Sequence, residues 1–219
     1  MRVAALYDVH GMVWALEAVL RDLDADAVVF GGDIVAGPAP RATLELVRSL
    51  DNAVCIRGNA ERDPQDWLLE RLSSDDVEWC KSLPLTAELG GVLYCHATPT
   101  DDLPITTIFT PDDAVRANFA GVSGTVVIGH THHQFDRRVG DVRVVNAGSV
   151  GMPYESHVAA YWLEVVDGEP RFRSTEVDVD ALASGILASG WPGAEEFVAE
   201  NVRTAVDRDE AARYFESRR

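Results

Sequence analysis

Short apolar runs alternate with segments of helical periodicity along residues 1–150. The runs predict buried strands, because each is short and ends at a glycine or a polar residue. These predicted strands are residues 3–7, 27–30, 53–56, 92–95 and 125–128. Apolar residues recur every three or four positions over residues 12–23, around Leu44, Val47 and Leu50, and near residues 113–119, which predicts helices. This alternation is typical of an α/β fold with helices on both faces of a sheet.

From Gln134 the pattern changes to alternating apolar and polar residues, which predicts β-hairpins. The alternation covers residues 139–145, 158–166 and 172–179, with a turn at Asp167-Gly168. Helical periodicity then returns: we expect Asp180 to cap one helix, residues 190–193 to end it, and residues 195–215 to continue as an amphipathic helix. Residues 179–219 are therefore predicted to be a helical tail, appended to a core of residues 1–178 within one domain of 1–219.

Composition narrows the class of protein. The 219 residues carry a net charge of −17, which repels polyanions and disfavours a general nucleic-acid surface. No apolar run approaches the ~18 residues of a membrane span, and residues 1–7 lack a secretory pattern, so we expect a cytoplasmic protein without a membrane partner. Three widely spaced cysteines indicate neither a disulfide framework nor a thiolate zinc site.

Scattered residues are assigned packing and capping roles. Asp75 and Asp76 are expected to cap a helix. The five tryptophans are expected to pack in the core or between helices, and they are Trp14, Trp67, Trp79, Trp162 and Trp191.

Each of the five predicted strands ends at residue types that bind metal ions. These residues are Asp8, His10, Asp33, Asn59, His96, His130 and His132. Because parallel strands of one sheet end at the same edge, we expect the seven side chains to converge in one crevice. Each short motif alone also has an ordinary explanation, since Gly58-Asn59 fits a simple turn and a lone His96 fits a packed histidine. The succession of all five motifs at strand ends favours the metal site.

The residue types indicate which ions would bind. Imidazole and carboxylate ligands together suit Mn²⁺, Fe²⁺, Co²⁺, Ni²⁺ or Zn²⁺ and disfavour calcium. Seven donors exceed the needs of one such ion, which favours two ions about 3.5–4 Å apart that share a carboxylate. The glycines that precede the candidate ligands allow sharp turns and leave space beside them, and they are Gly31, Gly32, Gly58 and Gly129.

The chain resembles the calcineurin-like metallophosphoesterase superfamily over about residues 1–150. The resemblance rests on Asp8-Val9-His10-Gly11, Gly32-Asp33, Gly58-Asn59, His96 and Gly129-His130-Thr131-His132. Residues 32–38 and 146–151 are further similar to the small bacterial and archaeal phosphodiesterase branch. The resemblance implies a four-layer α/β/β/α sandwich. It also implies one ion held by Asp8, His10 and His132, a second held by Asn59, His96 and His130, and Asp33 bridging them.

The resemblance implies a dinuclear metal-dependent hydrolase of phosphate esters. We expect a phosphodiesterase that uses a metal-bridging hydroxide as nucleophile. Manganese is the first candidate metal, and iron, nickel, cobalt and zinc stay open. A phosphomonoesterase, a dinucleoside polyphosphate hydrolase and a non-catalytic adaptor also stay open. The expected partner is a small phosphate-ester substrate, and the amphipathic tail is a candidate surface for homo-oligomer formation.

The residue after Gly58-Asn59 departs from the family pattern. Many members have a histidine there that helps to protonate the leaving group, and this chain has Ala60. Because alanine donates no proton, we expect slow hydrolysis of esters with poor leaving groups. Glu61, Arg62 and His133 are candidate substitutes, and Arg62 is also the candidate for binding substrate phosphate. Ordinary structural roles for these three residues stay open, including a surface ion pair for Arg62.

Overall fold

The computed structural model describes residues 1–21 and 23–219 and contains two five-stranded sheets. The strands are β1 (Arg2–Leu6), β2 (Ala27–Phe30), β3 (Ala53–Cys55), β4 (Thr86–Leu89), β5 (Val92–Cys95), β6 (Gly124–Ile128), β7 (Gln134–Val139), β8 (Val142–Ala147), β9 (Ala160–Val166) and β10 (Glu169–Thr175). The first sheet has the order β10-β9-β1-β2-β3, and the second has the order β4-β5-β6-β8-β7. The strands β1, β2 and β3 run parallel, as do β5, β6 and β8.

Helices connect many of the strands and follow the last one. They are α1 (Val13–Leu20), α2 (Pro40–Arg48), α3 (Asn59–Arg62), α4 (Asp66–Leu69), α5 (Ser74–Ser82), α6 (Asp112–Asn118), α7 (Val179–Ala188), α8 (Ala194–Phe197) and α9 (Arg208–Glu216), with a π-helical turn at Val198–Val202. No helix in the described part of the chain combines the length and apolarity needed to cross a membrane.

The period-two pattern of β1 explains the layers. Val3 and Ala5 pack between the two sheets, whereas Ala4 and Leu6 point to the opposite face and pack with the helices α1, α2 and α7. On the far side of the second sheet, Val115 of α6 packs in a separate apolar cluster with β6 and β8. The order is therefore helices, sheet, sheet, helix, which confirms the four-layer sandwich.

One sheet was expected to contain all five metal-linked strands, and this expectation is wrong. The predicted strands 3–7, 27–30 and 53–56 belong to the first sheet, and 92–95 and 125–128 belong to the second. The chain crosses between the sheets over residues 56–85, which include α3, α4 and α5. The seven side chains nevertheless converge, because the parallel strands of both sheets end at one junction.

Two helix starts differ from the sequence prediction. The predicted helix over residues 12–23 includes Asp22, which lies outside the described residues, and α1 covers only Val13–Leu20. Asp75 and Asp76 are not the N-cap of α5. Ser73 is the N-cap, since its hydroxyl accepts the Asp76 N–H at 3.2 Å while the Asp76 carboxylate accepts the Ser73 N–H at 3.2 Å.

The hairpins are confirmed, but their bounds differ. The predicted strand over residues 139–145 straddles a turn, because Gly140 adopts a φ of 62° and reverses the chain between β7 and β8. The Asp167-Gly168 turn does connect β9 and β10. The strand predicted over residues 172–179 ends at Thr175, and Asp178, not Asp180, caps α7 by accepting the Ala181 N–H at 3.0 Å.

The tail is helical, as predicted, and packs on the core. Leu182, Ile186 and Val198 are buried in the same apolar cluster as α1 and α2. The predicted continuous helix over residues 195–215 is wrong, because the chain unwinds after the π-helical turn. A new helix, α9, begins at Asp207, whose carboxylate accepts the Glu210 N–H at 2.8 Å.

Candidate metal centre

Five loops meet at the junction of the two sheets, beyond the carboxyl ends of the parallel strands. They supply Asp8 and His10 after β1, Asp33 after β2, Asn59 at the start of α3, His96 after β5, and His130 and His132 after β6. Backbone hydrogen bonds join neighbouring loops: the His10 N–H donates to Asp33 O at 2.8 Å, and the Gly129 N–H donates to His96 O at 2.9 Å. The backbone therefore fixes the relative positions of the loops.

The backbone is strained at the candidate ligands. Among the described residues, six that are not glycine have a positive φ, and five of them are candidate ligands with φ of 49° to 67°. These five are Asp8, His10, Asp33, His130 and His132. Such conformations cost of order 1–3 kcal/mol each and concentrate at functional sites. The sequence pattern did not reveal this strain.

The polar atoms of the candidates lie close together. Asp8 Oδ1 is 3.3 Å from His132 Nε2 and 3.8 Å from His10 Nε2. Asp33 Oδ2 is 3.8 Å from His10 Nε2 and 3.7 Å from His96 Nε2. Two groups, Asp8-His10-His132 and Asp8-Asp33-His96, each place their donor atoms within 4.8 Å of one another and could hold a metal ion.

The remaining two candidates adjoin His96. Asn59 Oδ1 lies 3.2 Å from His96 Nε2, and the His130 ring centroid lies 5.0 Å from that of His96. The His130 N–H also donates to Asp8 Oδ2 at 2.9 Å. The structure thus brings all seven predicted residues together. Both Asp8 and Asp33 lie between the groups, whereas the resemblance gives that position to Asp33 alone.

Three histidines are held by the same kind of contact. Nδ1 lies 3.2 Å from Ala36 O in His10, 2.9 Å from Gly31 O in His96, and 2.8 Å from Met152 O in His132. A carbonyl oxygen only accepts, so each Nδ1 must bear the proton. In the neutral ring, Nε2 then presents its lone pair to the cluster, which is the arrangement typical of metal-ligating histidines.

This arrangement fits a cation. Nε2 of His10 and Nε2 of His132 lie 3.1 Å apart, so two lone pairs face each other in the neutral forms. Asp8 Oδ1 is buried beside them without a hydrogen-bond partner. A buried acceptor without a donor is costly, and a metal ion would satisfy all three atoms at once.

Charge coupling within the cluster agrees with this fit. Burial raises the pKa of Asp8, but its interactions with the imidazoles of His132, His96 and His10 outweigh burial and hold that pKa well below its usual range. Burial, and next the charge of His96, lower the pKa of His130 to about 4. Asp8 therefore remains charged, and His130 stays neutral, as a metal ligand must be.

Glu61 is buried behind the cluster and does not line the crevice. Its carboxylate accepts the Asp33 N–H at 2.7 Å, the Ile34 N–H at 2.7 Å and the Gly58 N–H at 3.0 Å. Burial, and next the charge of Asp33, raise its pKa to about 7. With both oxygens held by backbone amides, Glu61 is not placed to protonate a leaving group, contrary to that prediction.

The other candidate substitutes for Ala60 also have structural partners. His133 is buried, its Nδ1 lies 2.8 Å from Thr131 O, and its ring packs against Phe135, away from the crevice. Arg62 lines the crevice, and its guanidinium lies 3.0 Å from buried Asp102. Arg62 therefore forms an ion pair with Asp102 and also remains accessible from the crevice.

The end of β8 and the segment that follows it support the ligand loops. The Asn146 amide donates to Gly129 O at 2.7 Å, and the Ser149 hydroxyl donates to Asp8 O at 2.7 Å. Residues 146–151 contributed to the resemblance, but the sequence alone did not reveal this supporting role.

A crevice of about 610 Å³ opens from the cluster. Besides His10, Asp33 and Asn59, its lining includes the side chains of Trp67, Tyr154, Trp191, Phe197 and Asn201. The prediction that the tryptophans are packing residues is thus incomplete, because two of them line the crevice. Their spacing in the sequence contained no signal for this, since residues 67 and 191 meet only through the packing of the tail.

Comparisons with known proteins agree with this geometry. The model of the calcineurin-like phosphoesterase superfamily domain matches residues 1–168. A metallophosphoesterase from Sphaerobacter thermophilus is 24% identical, with a TM-score of 0.74 over 90% of this chain and 97% of that chain. A hypothetical protein from Pyrococcus horikoshii OT3 is 18% identical, with a TM-score of 0.77 over 94% of this chain and 99% of that chain. A novel archaeal phosphodiesterase is 17% identical, with a TM-score of 0.50 over 80% of this chain and 99% of that chain.

No curated protein matches the chain. The family model nevertheless spans most of the sequence, including all seven clustered residues, and ends shortly before the helical tail. The chain belongs to the calcineurin-like phosphoesterase superfamily.

Proposed function

We propose that this protein is a dinuclear metal-dependent hydrolase of phosphate esters that acts on phosphodiesters. The observation that supports the proposal best is the convergence of Asp8, Asp33 and three backbone-anchored histidines around an acceptor atom, Asp8 Oδ1, that has no partner. A purely structural cluster would pair that atom with a donor.

The proposed ligands divide into two sets with the Asp33 carboxylate between them. Asp8, His10 and His132 would hold one ion, Asn59, His96 and His130 would hold the other, and Asp33 would serve both. Mn²⁺ is the proposed metal, since its borderline character suits imidazole and carboxylate together. When bound, two such ions supply Lewis-acid stabilisation of phosphoryl oxygens and a water of lowered pKa as nucleophile.

The protein's own residues would orient the ligands and the substrate. The carbonyls of Ala36, Gly31 and Met152 fix the imidazole orientations before any substrate arrives. Arg62 can offer guanidinium N–H groups to a phosphate oxygen, because about 40% of its side chain remains exposed beside Asp102.

Protonation of the leaving group is the weak point of this site. Ala60 lines the crevice where a proton donor would stand, and neither Glu61 nor His133 reaches that lining. We therefore expect the protein to favour esters whose leaving groups need no proton, such as p-nitrophenolate.

A diester is favoured over a monoester by the shape of the crevice. Its volume of about 610 Å³ leaves room for a second ester substituent beside the phosphate. A structural relative at TM-score 0.50 is described as an archaeal phosphodiesterase, in agreement with this choice. Phosphomonoester hydrolysis is the alternative, and a non-catalytic adaptor is a second.

One experiment separates these functions. Hydrolysis of bis(p-nitrophenyl) phosphate and of p-nitrophenyl phosphate is measured with Mn²⁺ for the wild type, for Asp33→Ala and for Asp75→Ala, a control on the exposed surface of α5. We expect faster diester hydrolysis that is lost in Asp33→Ala and kept in Asp75→Ala. Unchanged hydrolysis in Asp33→Ala would contradict the dinuclear mechanism. Faster hydrolysis of the monoester than of the diester would favour the phosphomonoesterase. A wild type that hydrolyses neither substrate and binds fewer than two ions would favour the adaptor.

A further inference from the structure

Aromatic side chains form part of the lining of the crevice. We define the aromatic wall as Trp67, Tyr154, Trp191 and Phe197, all of which line the same cavity as His10 and Asp33. Trp191 and Phe197 belong to the tail, beyond the residues 1–168 that the family model matches. The wall therefore includes residues that lie outside the matched family domain.

The rings of the wall are held in place by contacts outside the cavity. The Trp67 indole N–H donates to Gly37 O at 2.9 Å, and the Arg71 guanidinium lies over the Trp67 ring, 3.1 Å from its centroid. Tyr154 stacks on His132 with ring centroids 5.2 Å apart. Each ring is only partly buried, so the wall offers rigid apolar surface to the cavity at little conformational cost.

The tail contributes its two rings as one unit. Trp191 and Phe197 meet edge to face with centroids 5.4 Å apart. The π-helical turn Val198–Val202 follows Phe197 directly and brings the Asn201 side chain into the lining of the same cavity. A π-helical turn inside a helical segment is rare and often occurs at functional sites.

Polar groups border the wall. Gln65 and Asn201 line the cavity with amide side chains, which both donate and accept hydrogen bonds. Flat aromatic surface combined with amides at its border suits a planar heteroaromatic ring with donors and acceptors on its edge.

We propose that the aromatic wall binds a nucleobase, so that the preferred substrate is a nucleoside phosphodiester. This inference rests on the proposed function, because the phosphate is taken to sit at the metal cluster. Trp191 and Phe197 are then specificity-determining residues that the tail contributes to this site.

A pair of chromogenic diesters tests the inference with the leaving group held constant. Thymidine 5′-(p-nitrophenyl phosphate) and methyl p-nitrophenyl phosphate are hydrolysed with Mn²⁺, and kcat/KM is compared. Stacking of one base on an aromatic side chain supports an expected preference of about tenfold for the thymidine ester. Trp191→Ala should remove most of that preference, because it should lower kcat/KM for the thymidine ester far more than kcat/KM for the methyl ester.

Two further variants serve as controls. Phe197→Leu keeps an apolar side chain in the tail but removes its aromatic face, and it should also lower the preference. Leu187→Ala truncates an exposed residue of α7 and should change kcat/KM for neither substrate. If Trp191→Ala fails to fold, the Phe197→Leu comparison still decides.

Binding gives a readout that does not depend on turnover. Thymidine 5′-monophosphate should quench the tryptophan fluorescence of the wild type and bind about tenfold more tightly than ribose 5-phosphate, with the difference reduced in Trp191→Ala. Equal kcat/KM for the two esters together with equal binding of the two phosphates would overturn the inference and leave the proposed function intact. Hydrolysis of neither ester would contradict the proposed function, while the binding comparison would still decide whether the wall holds a base.

Discussion

The Glu61 carboxylate lies behind Asp33 and accepts a hydrogen bond from the Asp33 backbone amide at 2.7 Å. Through the Gly58 N–H, at 3.0 Å, the same side chain also holds the loop that precedes Asn59. Glu61 thus links the loops of two proposed ligands. Gly58 is required for this approach, because a Cβ there would overlap the Asp33 carboxylate.

Glu61→Gln is expected to destabilise the fold and weaken metal binding. The amide NH₂ of glutamine would face backbone N–H donors, leaving buried donors without acceptors at a cost of about 2 kcal/mol. Urea unfolding in the absence of metal measures the first effect, and equilibrium dialysis with Mn²⁺ measures the second. Glu78→Gln, on the exposed surface of α5, is the matched control. A free energy of unfolding within roughly 0.5 kcal/mol of the wild type would contradict the linking role.

Ala60→His is expected to accelerate cleavage of diesters with poor leaving groups. A positioned general acid typically accelerates a reaction about 10²–10⁴-fold. We expect Ala60→His alone to accelerate cleavage of these diesters at least about tenfold. The measurement compares the rates of hydrolysis of an alkyl diester and of bis(p-nitrophenyl) phosphate, whose leaving group needs no proton. An equal effect on both substrates, or no gain on the alkyl diester, would argue that another group already donates the proton.

Binding of Mn²⁺ is expected to stabilise the fold. In the metal-free protein, His10 Nε2 and His132 Nε2 face each other at 3.1 Å beside the unpartnered Asp8 Oδ1, and a cation removes that conflict. At a free concentration a hundred times the dissociation constant, each site adds about 2.7 kcal/mol. Thermal unfolding with a chelator and after Mn²⁺ is restored measures the change. A melting temperature that is the same with and without Mn²⁺ would contradict this prediction.

Glu216 is expected to anchor the loop over the cluster. Its carboxylate accepts from the Thr107 hydroxyl at 2.7 Å and also from the Thr110 hydroxyl, while the same loop places Leu103 O 3.1 Å from His130 Nε2. Glu216→Ala should cost about 1–3 kcal/mol, because the buried hydroxyls lose their acceptor. Hydrogen exchange of residues 98–111 should rise.

Glu210→Ala, an exposed change on the same helix, is the control for Glu216. Exchange that rises equally in the two variants, or in neither, would show that α9 does not hold the loop through Glu216.

The order of strands and motifs allowed much of the site to be predicted from the sequence. Apolar runs that end at Asp8, Asp33 or His96 are local signals, and the carboxyl ends of parallel strands bring such residues together regardless of loop detail. The division into two sheets followed from the family resemblance and not from the hydrophobic pattern, because β4 is a short strand of mixed burial and its pairing with β5 is set by packing.

The tail and the supporting contacts could not be predicted for a different reason. Trp191 reaches the crevice only because α7 packs against α1, a contact between residues far apart in the sequence. Glu61 was considered as a proton donor from its position after Ala60, and only the three-dimensional structure shows that backbone amides occupy both of its oxygens. Long-range packing and burial thus account for what the pattern missed.

Counting the metal ions bound to each chain tests the central claim most directly. After equilibrium dialysis against Mn²⁺, elemental analysis should find two ions per chain in the wild type and one or none in Asp8→Asn, which keeps the side-chain shape but removes the charge shared by both groups. A wild type that binds at most one ion, or an Asp8→Asn variant that still binds two, would contradict the dinuclear centre.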